Sequence, residues 1–410
     1  MTIPYTETIP LTSHPDPYLP WIKQILQIED VTWGTDKDNY LVRYRGRLSI
    51  DSDQAYDLLA TGLRPMDVTP LFREEKEQHV ILLMRGVVRP RPSNPWINLI
   101  LFSLTGISVI LVGIFTNYDG PLSANLSVMR PHLLPAIGRG LAYAASLLAI
   151  LLAHEFGHYL AGRFHRSAVT LPYFIPLPLP PFGTLGAFIQ LKEPPKNKRI
   201  LLDIGLAGPL AGFVVAVPLL ILGLSLSNID RIPLSLPPGY GFTIEGNSLL
   251  YLFMKYLVFG QLLPQPVSFG GLGPIIYWIR YLFTAQPFPL GGQDVMLHPV
   301  AYAGWAGLLI TALNLIPAGQ LDGGHIANVL LGSRARSLLP FVLVALIVLG
   351  LAWNGWWLWA LIIFFLGRVY AEPLDQITPL DNGRRAMAIL GLVIFVLVFT
   401  PVPLTLVGPY

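Results

Sequence analysis

Apolar positions are unevenly spread along this 410-residue chain: they gather into long runs after residue 95 and are sparse before it. Runs at 97–116, 133–161, 201–226, 299–316, 338–352, 356–371 and 386–403 approach the roughly 20 mostly apolar residues that a membrane-crossing helix needs. The pattern predicts a polytopic α-helical membrane protein with about seven transmembrane helices, within a range of six to eight.

Ahead of these runs the period shortens. Residues 40–50 alternate and are rich in β-branched and aromatic side chains, which predicts a strand. Asp51 is placed to cap a helix running to residue 63, with Ala55, Leu58 and Leu59 on one face. Residues 79–88 predict a second strand. A small N-terminal soluble α+β domain over 1–94 follows, ending in a stiff proline-rich linker from Arg89 to Pro95. The remaining divisions are 95–132 (first transmembrane helix and outer loop), 133–335 (membrane core) and 336–410 (C-terminal transmembrane helices). Residues 1–30 carry neither the apolar core nor the basic leader of a signal peptide, so the head is expected to stay where it is made.

Two stretches break the pattern. Pro172, Pro176, Pro178, Pro180 and Pro181 exclude a spanning helix, and residues 183–190 then alternate like a strand. Residues 247–290 are amphipathic, with Lys255 and Arg280 inside apolar runs, and either lie on the outer surface or form two poor spans.

Composition sharpens this division. Hydrophobic residues make up 53% of the chain and charged residues 12%, about half the charge of a soluble domain. Residues 1–94 hold 11 Lys/Arg and 13 Asp/Glu, leaving the long remainder poor in charge. A fibre and a disordered tail are thereby excluded. The net charge of +3 does not imply nucleic acid, because the basic residues cluster beside apolar runs, where membrane topology accounts for them. Arg85, Arg89 and Arg91, Arg163 and Arg166, Lys192 to Arg199, Arg334 and Arg336, and Arg384 and Arg385 fit one alternation with every cluster cytoplasmic. The head is then expected on the cytoplasmic side of its membrane. Cysteine is absent, which removes disulfides, thiolate ligands and a Cys nucleophile.

The candidate chemistry lies near the cytoplasmic end of the second run, at His154-Glu155-Phe156-Gly157-His158. Residues four apart share a helix face, so His154 and His158 can hold one metal ion, with Glu155 beside them as general base to a water. Imidazole and carboxylate ligands with one position left for water suit a single Zn2+. With 8 His and 24 acids in the chain, roughly 0.01 such motifs arise by chance. The plain alternative, two interfacial histidines and a snorkelling Glu155, buries costly groups for no return. The best candidate third ligand is Asp322, where Pro317, Gly319, Gly323 and Gly324 break the fourth run; its plain alternative is a capping carboxylate.

His154-Glu155-x-x-His158, with Asn314-x-x-Pro317 and Leu321-Asp322-Gly323 in a later run, resembles the site-2 protease family of intramembrane zinc metalloproteases. The segment Ala207-Gly208-Pro209-Leu210-Ala211-Gly212 is similar to that family's central span, and its Gly208/Gly212 pair lets helices approach closely. Residues 183–190 resemble the family's membrane-associated β-hairpin beside the active site. The likeness covers about 140–335 and is nearest the chloroplast and cyanobacterial branch of ethylene-dependent gravitropism-deficient and yellow-green-like proteases. It implies one Zn2+ held by His154, His158 and Asp322, Glu155 as base, a polar supporting role for Asn314, and a transmembrane protein as substrate in the lipid bilayer. Rival readings are a metal or ion transporter, which predicts an inverted repeat that the motifs do not show, and a non-proteolytic membrane chaperone, which has no need of Glu155. His325 is a candidate partner to a ligand, His165 an interfacial residue; His298 and His132 carry no signal, and the glycines at 270–273 do not form a phosphate loop.

Overall fold

The computed structural model describes residues 16–35, 37–121, 123, 125–234 and 241–407. They form two compact units, one of residues up to Arg89 together with Pro373–Pro379, the other of Pro90–Glu372 and Leu380–Tyr410.

In the first unit, helix α1 (Leu19–Ile22) precedes strands β1 (Leu26–Trp33) and β2 (Val42–Leu48), helix α2 (Ser52–Leu63), and strands β3 (Val68–Glu75) and β4 (Gln78–Arg85). The strands make an antiparallel sheet in the order β1-β2-β4-β3. Val42 and Tyr44 of β2 are buried against Ala55, Leu59 and Leu63 of α2, while Arg43 and Arg45 at the alternate positions are only half-buried. Asp51 caps α2 by accepting from the Asp53 amide at 3.0 Å, as its position before the apolar face predicts. β2 and β4 are the two strands legible in the sequence. The edge strands β1 and β3 are additions, masked by Gln27, Glu29 and Asp30 in one and Pro70 in the other, residue types that sheet edges tolerate. Residues 373–379 also belong here: the Leu374 carbonyl accepts from the Phe72 amide at 2.9 Å, and buried Asp375 accepts from Ser52 Oγ.

The second unit is mostly helical. Helices α3 (Pro95–Thr116) and α4 (Leu126–Phe164) lead to the short strands β5 (Tyr173–Pro176) and β6 (Thr184–Phe188), then α5 (Lys198–Ser225). A mixed connection follows: β7 (Asn228–Arg231), β8 (Phe242–Glu245), α6 (Leu249–Phe259), α7 (Pro274–Thr284) and β9 (Gln293–Met296). Helices α8 (Pro299–Asn314), α9 (Asp322–Leu331), α10 (Leu338–Leu349), α11 (Gly355–Leu366) and α12 (Asn382–Val398) and strand β10 (Leu404–Val407) complete it. β7 pairs with β9, and β8 with β10.

Among the described residues four helical stretches are long and apolar enough to cross a membrane: α3, α4, α5, and 322–349, where α9 runs on into α10. The 22 residues of α3 reach about 33 Å, enough for a hydrocarbon core of about 30 Å. The runs at 299–316, 356–371 and 386–403 become helices of 16, 12 and 17 residues. α8 ends at Asn314 because Pro317 cannot continue it. In the 247–290 stretch the two helices are 11 residues each, too short to cross alone. α4 begins before the apolar run and carries Pro131 and Pro135 in its interior.

The core of this unit is the packing of α4, α5 and α8, with Leu147, Leu151, Leu202, Leu206, Ala303 and Trp305 buried in it. Strands β5 and β6 pair antiparallel, Tyr173 with Phe188, so the proline-rich stretch and the alternating one form a hairpin. Its open backbone is satisfied by α3: Asn98 Nδ2 donates to the Leu171 and Pro172 carbonyls at 2.9 Å, and Ser108 Oγ to Gly183 at 2.6 Å.

Candidate metal centre

His154 and His158 lie one turn apart on α4, both buried, with Nε2 atoms 3.2 Å apart. Asp322 reaches them from α9. It is the first residue of that helix and not its cap, since Leu321 holds the cap position. Its Oδ2 stands 3.4 Å from His154 Nε2 and 3.3 Å from His158 Nε2. The three donors form a nearly equilateral triangle.

One hydrogen bond decides which nitrogen of His158 can face a metal. His158 Nδ1 lies 2.7 Å from the Ile204 carbonyl oxygen, which can only accept. Nδ1 therefore carries the proton, and the Nε2 of the neutral ring presents a lone pair toward the other donors. A tetrahedron with metal–ligand bonds of about 2.0–2.1 Å has edges of about 3.3–3.4 Å, the spacing found here. The donor types and their separations fit Zn2+.

Glycine makes the close approach possible. A Cβ on Gly208 of α5 would collide with the His158 ring, and one on Gly212 would stand 3.1 Å from His154 Cβ and Nδ1. The small face of α5 thus admits imidazoles and not merely a neighbouring helix. Across the site, Gly319 takes φ +54° in the turn before Asp322, and Cβ atoms on Gly323 or Gly324 would strike the carbonyls of that turn.

Glu155 is buried beside the triangle, and among the described residues its Oε2 has no hydrogen-bond partner. A cavity of about 450 Å3 opens on it, lined also by Gln190, Asn314, Gln320 and His325. Asn314, the last residue of α8, holds its Nδ2 3.3 Å from His154 Nε2. Residues 187–191 of the hairpin border the same cavity. All five sequence-derived candidates are therefore brought together.

The other histidines separate. His325 is buried in the cavity wall, its Nδ1 without a partner. His165 hydrogen-bonds Asp203 at 2.8 Å. His298 caps α8 and His132 pairs with Asp119. The Ile204 carbonyl escaped the sequence reading, because a backbone acceptor leaves no mark in residue type.

The three donors, with a buried carboxylate beside them, could hold a metal ion, and the helices that carry them are long and apolar enough to cross a bilayer. The comparison with known proteins agrees: the chain belongs to Peptidase family M50, which matches residues 142–352, just over half of it. It is 33% identical over 341 residues to "Probable zinc metalloprotease EGY1, chloroplastic" of Oryza sativa subsp. japonica, covering 79% of this chain and 53% of that protein. It is 31% identical over 342 residues to the Arabidopsis thaliana protein of the same name, covering 78% and 56%. To "Probable zinc metallopeptidase EGY3, chloroplastic" of Arabidopsis thaliana it is 26% identical, covering 75% and 50%. The chain thus spans about half the length of the curated relatives it matches. No solved structure gives a significant match.

Proposed function

We propose that the protein is a zinc-dependent intramembrane endopeptidase that cuts transmembrane segments of other membrane proteins. The observation that carries this reading is the donor triangle of His154, His158 and Asp322 with the unpartnered Glu155 Oε2 beside it. When bound there, Zn2+ supplies Lewis acidity, acidifying water and polarising the peptide carbonyl. Glu155 takes the proton from the attacking water and returns it to the leaving amine as the C–N bond breaks. Asn314 donates its amide N–H to the substrate carbonyl as negative charge develops. A helical substrate must unwind before its peptide bond is accessible, and β6, paired among the described residues on one side only, with β5, offers main-chain groups along the cavity to hold the opened segment.

This reading carries a fuller arrangement: a soluble head over 1–94, a first span and outer loop at 95–132, the metallopeptidase core at 133–335 and C-terminal spans from 336. It counts about seven crossings, with α8, α11 and α12 completed by flanking residues. The basic clusters support a head on the cytoplasmic or stromal face, and the names of the relatives favour a chloroplast-type membrane.

The test is Glu155→Gln in proteoliposomes with a model transmembrane substrate. Zinc content stays near one per chain, and cleavage falls about 10²–10⁴-fold. Residual cleavage within about tenfold of wild type removes Glu155 from the role of base.

A further inference from the structure

We infer that Asp203, Arg384 and His165 form a clamp that positions His158 for zinc, acting through the Ile204 carbonyl. The inference rests on His154, His158 and Asp322 being the zinc site. Asp203 directly precedes Ile204 on α5. Its carboxylate receives a fork from Arg384 of α12, with Nε 2.8 Å from Oδ1 and Nη2 2.7 Å from Oδ2, the geometry of strong charge-assisted pairing. His165 Nε2 lies 2.8 Å from the same Oδ2. On the far side Arg384 is held by Asp381, whose Oδ2 lies 2.6 Å from Nη1 and whose Oδ1 accepts the Arg384 amide at 2.9 Å.

The arrangement gives α4 and the residue that caps its C-terminus two grips on adjacent residues of α5. His158 and His165 are seven residues apart, about two turns on the same face. One holds Ile204 at 2.7 Å, the other Asp203. One bond alone would let α5 pivot; two, with Arg384 fixing the carboxylate from α12, set both its position and its rotation. A slide of about 1 Å would stretch the Ile204 bond past hydrogen-bond range. The His158 ring would then be free to turn and its proton to move to the nitrogen that zinc requires.

Hydrogen-bond partners of zinc-bound histidines are worth 10–100-fold in metal affinity, and the clamp acts one step behind such a partner. The experiment measures zinc affinity by chelator competition, and Tm with and without zinc, for wild type, Asp203→Ala, Asp203→Asn, Arg384→Lys and His158→Ala. Asp203→Ala weakens zinc about tenfold and shrinks the zinc-induced rise in Tm. Asp203→Asn, which keeps the shape, and Arg384→Lys, which keeps the charge without the fork, weaken it about threefold. They carry the test if the alanine variant does not fold. Equal losses of Tm with and without zinc at unchanged affinity would show that the trio only fastens helices, which overturns the inference. If wild type and His158→Ala bind zinc alike, the zinc site itself is wrongly placed and the clamp falls with it.

Discussion

Gly208→Ala tests the metal centre with a single methyl group. A Cβ there overlaps Nε2, Cδ2 and Cε1 of His158. Non-bonded contacts close at about 3.5–4.0 Å, so the ring or α5 must retreat by roughly 1 Å or more. The ring cannot swing away without giving up its Nδ1 bond to Ile204, worth about 1–1.5 kcal/mol. Overpacking a close helix contact adds about 1–3 kcal/mol. A share of about 2–4 kcal/mol falling on the donor triangle weakens zinc roughly 30- to 1,000-fold, at 1.4 kcal/mol per tenfold. Two neighbours provide the scale. On Gly212 the new Cβ stands 3.1 Å from His154 Cβ and Nδ1, a mismatch relieved by small shifts, so Gly212→Ala weakens zinc less than about tenfold. On Gly205 it meets His325, which is not one of the three donors, and zinc binding is unchanged. The assay is zinc by mass spectrometry and chelator competition on detergent-purified protein, with helicity followed by circular dichroism. A helical Gly208→Ala that binds zinc within about threefold of wild type would refute the placement of His158 Nε2 among the ligands.

Asp322→Ala leaves two imidazoles where catalytic zinc normally has three protein ligands, and metal per chain, read by mass spectrometry, falls well below one. Gly186 sits in the hairpin at φ +94° with open space around it; Gly186→Val strains the backbone by about 1–3 kcal/mol, so substrate cleavage weakens in a proteoliposome assay while zinc content holds. Outside the spanning helices, burial, reinforced by Asp294, pushes the Glu245 carboxyl up to about 7, with Lys255 opposing. A raised carboxyl pKa stabilises the fold below the ordinary carboxylate range, and that stability is lost as pH rises through about 7. Hydrogen-exchange protection of residues 241–298, taken relative to the intrinsic rate at each pH, therefore falls from pH 6 to 8 in wild type, and Glu245→Gln flattens the fall.

Much of the candidate site was legible in the sequence because its grouping depends on residue type at fixed local spacing. His154 and His158 share a face on any helix, and a chain poor in charge leaves apolar runs little choice but helix. The strand at 40–50, the cap at Asp51 and the broken helix around Pro317 and Gly319 are equally local. Tertiary structure decided the rest. No periodicity brings Asp322 to within 3.4 Å of a histidine 168 positions earlier, or selects a backbone carbonyl at Ile204 to fix a ring tautomer. The edge strands β1 and β3, and the return of residues 373–379 to the first unit, depend on pairing with distant chain that hides polar or proline-bearing segments from a period-2 reading. The length of helix that each apolar run forms was likewise beyond a hydropathy count. Apolar content alone sets a run's hydrophobicity, whereas caps, prolines and neighbouring segments set how many of its residues become helix.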